Sequence, residues 1–259
     1  MKMLSESSRD DIELGLTAPD CATRRKFARR KDFVPNPIQI ERGLTDDDMF
    51  VRLAFSKRKR YVPTQAQVER GLTDNCWKVR RAFAERGDYK PTEAQIERGL
   101  TDPSPRVRLQ FGWRDDFTPT PVQIERGLND VDAWVRSRFL FRRDYKLSPE
   151  QIERAFNDTM TLFAAICYQD WTPSPLQTER ALSDQHEYVR ATFAERNNFA
   201  PTQAQIERGL TDEYWGVRLA FAKCKNYTPT GAQIERGLHD ERESVQMAFE
   251  RRGGFDRDE

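Results

Sequence analysis

The sequence predicts an all-α fold, a right-handed α-solenoid of about nine two-helix repeats. Three observations carry this expectation. Aromatic residues recur at Phe33, Tyr61, Tyr89, Phe117, Tyr145, Trp171, Phe199, Tyr227 and Phe255, always 28 residues apart except for 26 between Tyr145 and Trp171. Around these anchors the chain repeats Tyr-x-Pro-Thr-x-Ala-Gln-Ile-Glu-Arg-Gly-Leu-Thr-Asp, four variable residues, then Val-Arg-x-Ala-Phe-Ala-x-Arg-x-Asp. Each copy holds two stretches with apolar residues at i, i+3 and i+4, one face of a helix. Self-similarity at such a period is the signature of stacked modules, none of which can bury its flanks alone. The copies run over about 5–32, 33–60, 61–88, 89–116, 117–144, 145–170, 171–198, 199–226 and 227–254, with a short tail at 255–259, and are expected to form one domain over 1–259.

The first helix of each copy is expected to start at Ser8, Asn36, Thr64, Thr92, Thr120, Ser148, Ser174, Thr202 or Thr230. A glutamine follows three residues later in all but the first, as at Gln67 and Gln95. That is a capping box, in which two side chains satisfy orphan amides reciprocally. Pro37, Pro121, Pro149 and Pro175 fall at the first helical position, where a missing N–H costs nothing. Seven of the 13 glycines occupy one column of this helix: Gly15, Gly43, Gly71, Gly99, Gly127, Gly209 and Gly237. A mid-helix glycine costs about 1 kcal/mol against alanine, so either a neighbour approaches closely there or the helix stops at that point.

The second helix is expected to begin at the Asp column, Asp46, Asp74, Asp102, Asp130, Asp158, Asp184, Asp212 and Asp240, because Asp is a good N-cap. Its stripe in the third copy is Val79, Ala82, Phe83 and Arg86, and eight of the 16 phenylalanines share the Phe83 column. One large ring per copy opposite one glycine per copy is complementary packing. The sixth copy departs: it is two residues short and unusually apolar between Asp158 and Trp171, with Ala164 counted into the Arg column and Cys167 into the Phe column. The deletion either shortens the second helix and alters local curvature, or is absorbed in a loop. Cys167 is then expected to be a buried core thiol.

The segment Asp-x-x-x-x-Val-Arg-x-Ala-Phe, as in Asp74–Phe83 and Asp212–Phe221, is similar to the second-helix motif of HEAT-type repeats. The short period and the Pro-Thr start also resemble the leucine-rich repeat variant family, a bacterial relative. The HEAT resemblance implies a hydrogen-bonded ladder of the Asp and Arg columns, Asp46 with Arg52, Asp74 with Arg80, Asp102 with Arg108, Asp130 with Arg136, Asp184 with Arg190 and Asp212 with Arg218, interrupted by Ala18, Ala164 and Gln246. The variant family can carry an N-terminal cysteine cluster for iron–sulfur, which Cys21 alone does not match, so no cofactor is expected.

Composition bounds the function. Hydrophobic residues are 37% and charged residues 33%, too polar for one large isotropic core. Net charge is +1, so the chain is not a global polycation. No apolar run is long enough for a membrane span, no signal-peptide pattern opens the chain, and the four cysteines stand apart, so a cytoplasmic protein without disulfides or zinc is expected. His186 and His239 sit in different copies and suggest no metal site. With no catalytic constellation, an enzyme is not expected; catalysis of the kind hosted by some HEAT-like DNA glycosylases would need an acid inside an aromatic-lined pocket. The four residues after each Asp vary most, and place Phe50, Trp77, Arg106, Trp134, Tyr188, Tyr214 and Trp215 in the inter-helix segments. A constant frame with varied loops is how solenoids present binding residues, and aromatics and Arg are enriched at interfaces; alternatively these rings only cover helix ends. The leading expectation is a protein-binding scaffold. The alternative is a nucleic-acid-binding array, which requires Arg106, Arg136, Arg138, Arg142 and Arg143 on one basic face. The recurrent Glu-Arg pairs of the first helices, from Glu41-Arg42 to Glu235-Arg236, read as a solvated ladder or as a phosphate track weakened by its own acids.

Overall fold

The computed structural model of the chain describes residues 6–157, 159–167 and 171–253, with helices as its only regular elements. They fall into two compact units, Met1–Gly127 and Leu128–Glu259. The first unit contains α1 (Glu6–Leu16), α2 (Cys21–Ala28), α3 (Pro37–Thr45), α4 (Met49–Ser56), α5 (Gln65–Leu72), α6 (Trp77–Ala84), α7 (Glu93–Leu100) and α8 (Pro105–Trp113); α9 (Pro121–Leu128) reaches its end. The second contains α10 (Ala133–Phe141), α11 (Pro149–Ala155), α12 (Thr159–Cys167), α13 (Pro175–Leu182), α14 (Glu187–Ala194), α15 (Gln203–Leu210), α16 (Trp215–Lys223), α17 (Gly231–Leu238) and α18 (Glu243–Gly253). In the first unit each odd helix packs on the even helix that follows, and α2, α4, α6 and α8 pack in file, with α1, α3, α5 and α7 beside them. In the second the file is α10, α12, α14, α16 and α18, backed by α11, α13, α15 and α17. The fold is an α-solenoid type built of two-helix repeats. Phe255 and the tail, like Asp158, lie outside the described residues.

The capping boxes form as expected. Thr64 Oγ1 accepts from the Gln67 amide at 3.3 Å while Gln67 Oε1 accepts from the Thr64 amide at 3.0 Å, and the same reciprocal pair closes α3, α7, α11, α13, α15 and α17. The first copy differs, because α1 already runs through Ser8. The glycine column lies inside the first helix, which ends one or two residues later. A Cβ on Gly43, Gly71, Gly99, Gly209 or Gly237 would lie well under 3.0 Å from the ring of Phe55, Phe83, Phe111, Phe221 or Phe249 of the same repeat. Those rings are buried. The close neighbour of each glycine is therefore its own repeat's phenylalanine.

The second helix starts two residues later than the Asp column suggested. Its N-cap is Asp48 in α4, Cys76 in α6, Ser104 in α8, Asp132 in α10, His186 in α14 and Tyr214 in α16. The column Asp instead accepts the backbone N–H two residues on, as Asp74 does from Cys76 at 2.8 Å and Asp212 from Tyr214 at 2.9 Å. An Asp that bonds the backbone two residues ahead makes an Asx-turn. The turn holds the connection tight and leaves the other carboxylate oxygen for a partner.

In the sixth repeat the second helix is not shortened: α12 has nine residues. Trp171 Nε1 donates to the Ala165 carbonyl at 3.1 Å, the bond Tyr61, Tyr89 and Tyr227 hydroxyls make to Phe55, Phe83 and Phe221. Ala165, fully buried, thus takes the phenylalanine place, and the Arg place falls to Leu162, not Ala164. Cys167 lies two residues beyond and is half-exposed, so it is not the core thiol expected. The two missing residues come from the connection before α12. The lost ring is offset by Phe156, buried edge-on against Trp171 with centroids 5.9 Å apart.

Candidate functional site

Within each unit, rows of side chains tie neighbouring repeats together, and three such rows recur. The first lies on the odd helices. Glu41 accepts from Gln67 Nε2 at 3.1 Å and from Arg70, both one repeat on; Glu69 does so from Gln95 and Arg98, and Glu207 from Gln233 and Arg236. The capping glutamine therefore closes its own helix and grips the previous repeat. The hydrogen bond from Gln95, then the Arg98 guanidinium, holds the Glu69 carboxyl below its ordinary value, and Glu41 and Glu97 are held down in the same way. These arginines face paired acids, an arrangement that suits a solvated ladder and not a track for phosphates.

The second row joins the Arg column to the Asp column, with a register that differs from the pairing implied by the HEAT resemblance. Arg80 sends Nε and Nη2 to the carboxylate of Asp102, one repeat on, at 2.6 and 2.9 Å, and only Nη1 to the carbonyl of its own Asp74 at 2.7 Å. Arg52 bonds Asp74 likewise, Arg190 bonds Asp212 and Arg218 bonds Asp240. Arg108 and Arg136 place Nη1 on the carbonyls of Asp102 and Asp130. Arg24 uses the Ala18 carbonyl, which needs no Asp side chain, and Gln246 keeps the bond to the Asp240 carbonyl at 2.6 Å. A bidentate guanidinium–carboxylate fork is the strong form of such a bond. Hydrogen bonding to Asp102 raises the Arg80 pKa above its usual value.

The third row was not expected from the sequence, where Arg86 reads as part of a helix stripe. Arg86 is 8% exposed and donates to the carbonyls of Ser56 and Arg58 in the previous repeat and of Tyr61 at the start of its own, at 2.7–2.9 Å. Its guanidinium lies 4.6 Å over the Tyr61 ring and is forked by Asp88 two residues on. Arg114 repeats this on Ala84, Arg86, Tyr89 and Asp116, and Arg196 on Ile166 and Trp171 with Asn198. Burial pushes the Tyr89 phenol up to about 12. The signal in the sequence was the Arg-x-Asp ending of each copy, whose carbonyl partners lie a whole repeat away.

The candidate binding residues stand at the N-termini of the even helices, among alternating cations. In the first unit the Arg25 guanidinium lies 4.6 Å over the Phe50 ring, Lys78 lies between Phe50 and Trp77 at 5.9 and 5.8 Å, and Arg106 caps Trp77 at 5.3 Å. In the second, Tyr188, 63% exposed, meets Tyr214 edge-on at 5.8 Å, Tyr214 meets Trp215 at 5.7 Å, and Arg242 lies 5.8 Å from Trp215. Trp134 in that unit is 62% exposed beside Val131. Phe50, Trp77, Tyr214 and Trp215 are half-buried, so only some of the rings are fully presented. Sequence reading did not single out Trp113 or the aliphatic side chains Ile38, Val122 and Leu176, which are exposed on helix termini.

The basic face required for nucleic acid loses members to the frame. Arg142 is buried and forked on Asp144, Arg136 holds the Asp130 carbonyl, and Arg143 reaches the Cys167 carbonyl. A groove lined by Trp77 and Glu85 has that carboxylate on Arg81 at 2.6 Å. Among the described residues no cluster of His, Cys, Asp and Glu could hold a metal, and no helix is long and apolar enough to cross a membrane.

No curated protein matches the chain. Among solved structures it is similar to a leucine-rich repeat variant with a novel repetitive structural motif, at 19% identity and a TM-score of 0.44, covering 95% of this chain and 82% of that one. Residues 94–108, nearly all of α7, the Asx-turn and the start of α8, match the HEAT repeat associated with sister chromatid cohesion. The matched segment and the packed helix pairs make the two-helix unit HEAT-like, and the chain is built of such helical repeats.

Proposed function

We propose that the chain is a non-enzymatic scaffold that binds a protein partner along the N-termini of its even helices. The observation that carries this reading is the pair Trp134 and Tyr188, large rings more than 60% exposed in segments that the frame leaves free to vary. The rings with adjacent guanidinium groups in both units have the composition of interface hot spots, and the frame's own arginines are already engaged by the three rows. Replacing Trp77, Trp134, Tyr188 and Trp215 together by Ala is expected to abolish capture of a protein partner from host lysate, with nuclease present, while helicity and melting stay unchanged. Undiminished capture would place the surface elsewhere. Nucleic-acid binding predicts instead retention on heparin that weakens steeply between about 50 and 200 mM salt; retention at neither concentration removes it.

A further inference from the structure

The second repeat breaks the Arg-x-Asp rule in one position. Where Arg30, Arg86, Arg114 and Arg142 are each followed two residues later by Asp32, Asp88, Asp116 and Asp144, Arg58 is followed by Arg60. Each of the other four guanidinium groups sends Nε to its acid at 2.9–3.0 Å. Arg58 Nε is buried without a hydrogen-bond partner, alone in this among the described side chains. The fork is also turned over. Arg86 uses Nη1 for the two carbonyls of the previous repeat and Nη2 for the third; Arg58 uses Nη2 for Ala28 and Arg30 at 3.0 and 2.7 Å and Nη1 for Phe33 at 3.3 Å. No acid draws Nε to the side where Asp88 sits in the next repeat.

The surroundings are positive. A groove of about 460 Å³ opens at this place, between the C-terminal ends of α2 and α4, lined by Arg29, Lys31, Lys57, Arg58, Lys59 and Arg60 with no acidic residue among its lining. Asp32 nearby is forked by Arg30. Burial, and then the charge of Arg60, push the Arg58 pKa down against a smaller opposing pull from Asp32 and Tyr61. A buried donor without a partner is costly, and a side-on guanidinium edge matches carboxylate and phosphate geometry.

We infer that this groove is a site for an oxyanion, a phosphate or carboxylate group of a ligand, which takes the place of the missing Asp side chain at position 60. The anion accepts from Arg58 Nε and one Nη after the fork turns to the orientation of Arg86, and the flanking Arg60, Lys31 and Lys57 hold its remaining charge. The site lies at the C-terminal end of α4, opposite the end that bears Phe50, and does not depend on the protein-binding reading above.

The test uses the full chain, titrated with inorganic phosphate and separately with acetate, each against sodium chloride of equal ionic strength. Melting temperature and the Arg58 Nε–H resonance of arginine-labelled protein are followed. A saturable rise in melting temperature with movement of that resonance is expected for one or both anions, and the stronger response identifies the ligand's group. Arg60→Asp supplies the acid internally. Its fold is safeguarded by restoring the residue found in neighbouring repeats, and its anion response is expected to weaken by about tenfold or more. Arg251→Asp, exposed in the second unit, carries the same change of charge and is expected to keep the response. No saturable effect in the native chain, or an equal one in Arg60→Asp, overturns the site.

Discussion

Replacing Gly71 by Ala tests the packing rule that each repeat repeats. The new methyl would fall well under 3.0 Å from Cδ2, Cε2 and Cγ of Phe83, a ring only 1% exposed. Either the ring leaves its rotamer or α5 and α6 separate. Overpacking of this kind costs about 1–3 kcal/mol, while the better helix propensity of Ala returns up to about 1 kcal/mol. The expected result is a net loss of about 1–2 kcal/mol, a fall in melting temperature of about 2–8 °C for a chain of this size. The seventh repeat, which carries Ala181 fully buried in the same column together with Phe193, shows that the helices can be spaced to take the methyl; this keeps the cost from running higher. Thermal melts by circular dichroism measure it. Gly87→Ala is the control, since a Cβ there meets nothing within 4 Å, and should leave stability unchanged or slightly raised. Adding Phe83→Leu to Gly71→Ala should recover part of the loss by shortening the obstructing side chain. A Gly71→Ala protein as stable as the native chain would refute the Gly–Phe packing.

Two further outcomes follow from the rows between repeats. Because Glu41, Glu69 and Glu97 have folded pKa values below the usual 4.5, their contribution to stability is present above that pH and is lost as the pH falls below 4.5 through the folded values; each carboxylate is about half exposed, so the loss per site is small, and Glu69→Gln should flatten the acid limb of melting temperature against pH. Arg196→Lys should cost about 2–4 kcal/mol in a melt, because one ammonium cannot serve the buried Ile166 and Trp171 carbonyls that the fork reaches at 2.6 and 2.8 Å; a change under about 0.5 kcal/mol, typical of a neutral surface site, contradicts it.

From the second repeat on, the start of the first helix was readable because its signals are local: Thr64 and Gln67 close their box within four residues, and Gly71 meets Phe83 of the same repeat. The second was misplaced at its start because an Asp that caps a helix and an Asp that makes an Asx-turn have the same sequence signature; Asp74 does the latter while Cys76 occupies the cap position with no side-chain bond. The sixth repeat was misaligned because counting forward from Asp158 puts the gap after the helix, and only the Trp171–Ala165 bond shows that it precedes it. The Arg86 clamp was hidden for another reason: its acceptors are main-chain carbonyls of Ser56, Arg58 and Tyr61, and carbonyls leave no trace in residue type. The same property makes the Arg60 exception visible, since the acid it replaces is a side chain.

The Arg column braces each repeat against the one after it, as Arg80 does on Asp102, and a double-mutant cycle on Arg80 reads this directly. Arg80→Ala and Asp102→Ala are predicted to couple by about 1–3 kcal/mol, as groups in one partly buried ion pair do, whereas Arg80→Ala and Asp74→Ala are predicted to be nearly additive, because Arg80 touches only the Asp74 carbonyl. Coupling to Asp74 with none to Asp102 would mean that each arginine braces its own repeat and not its neighbour.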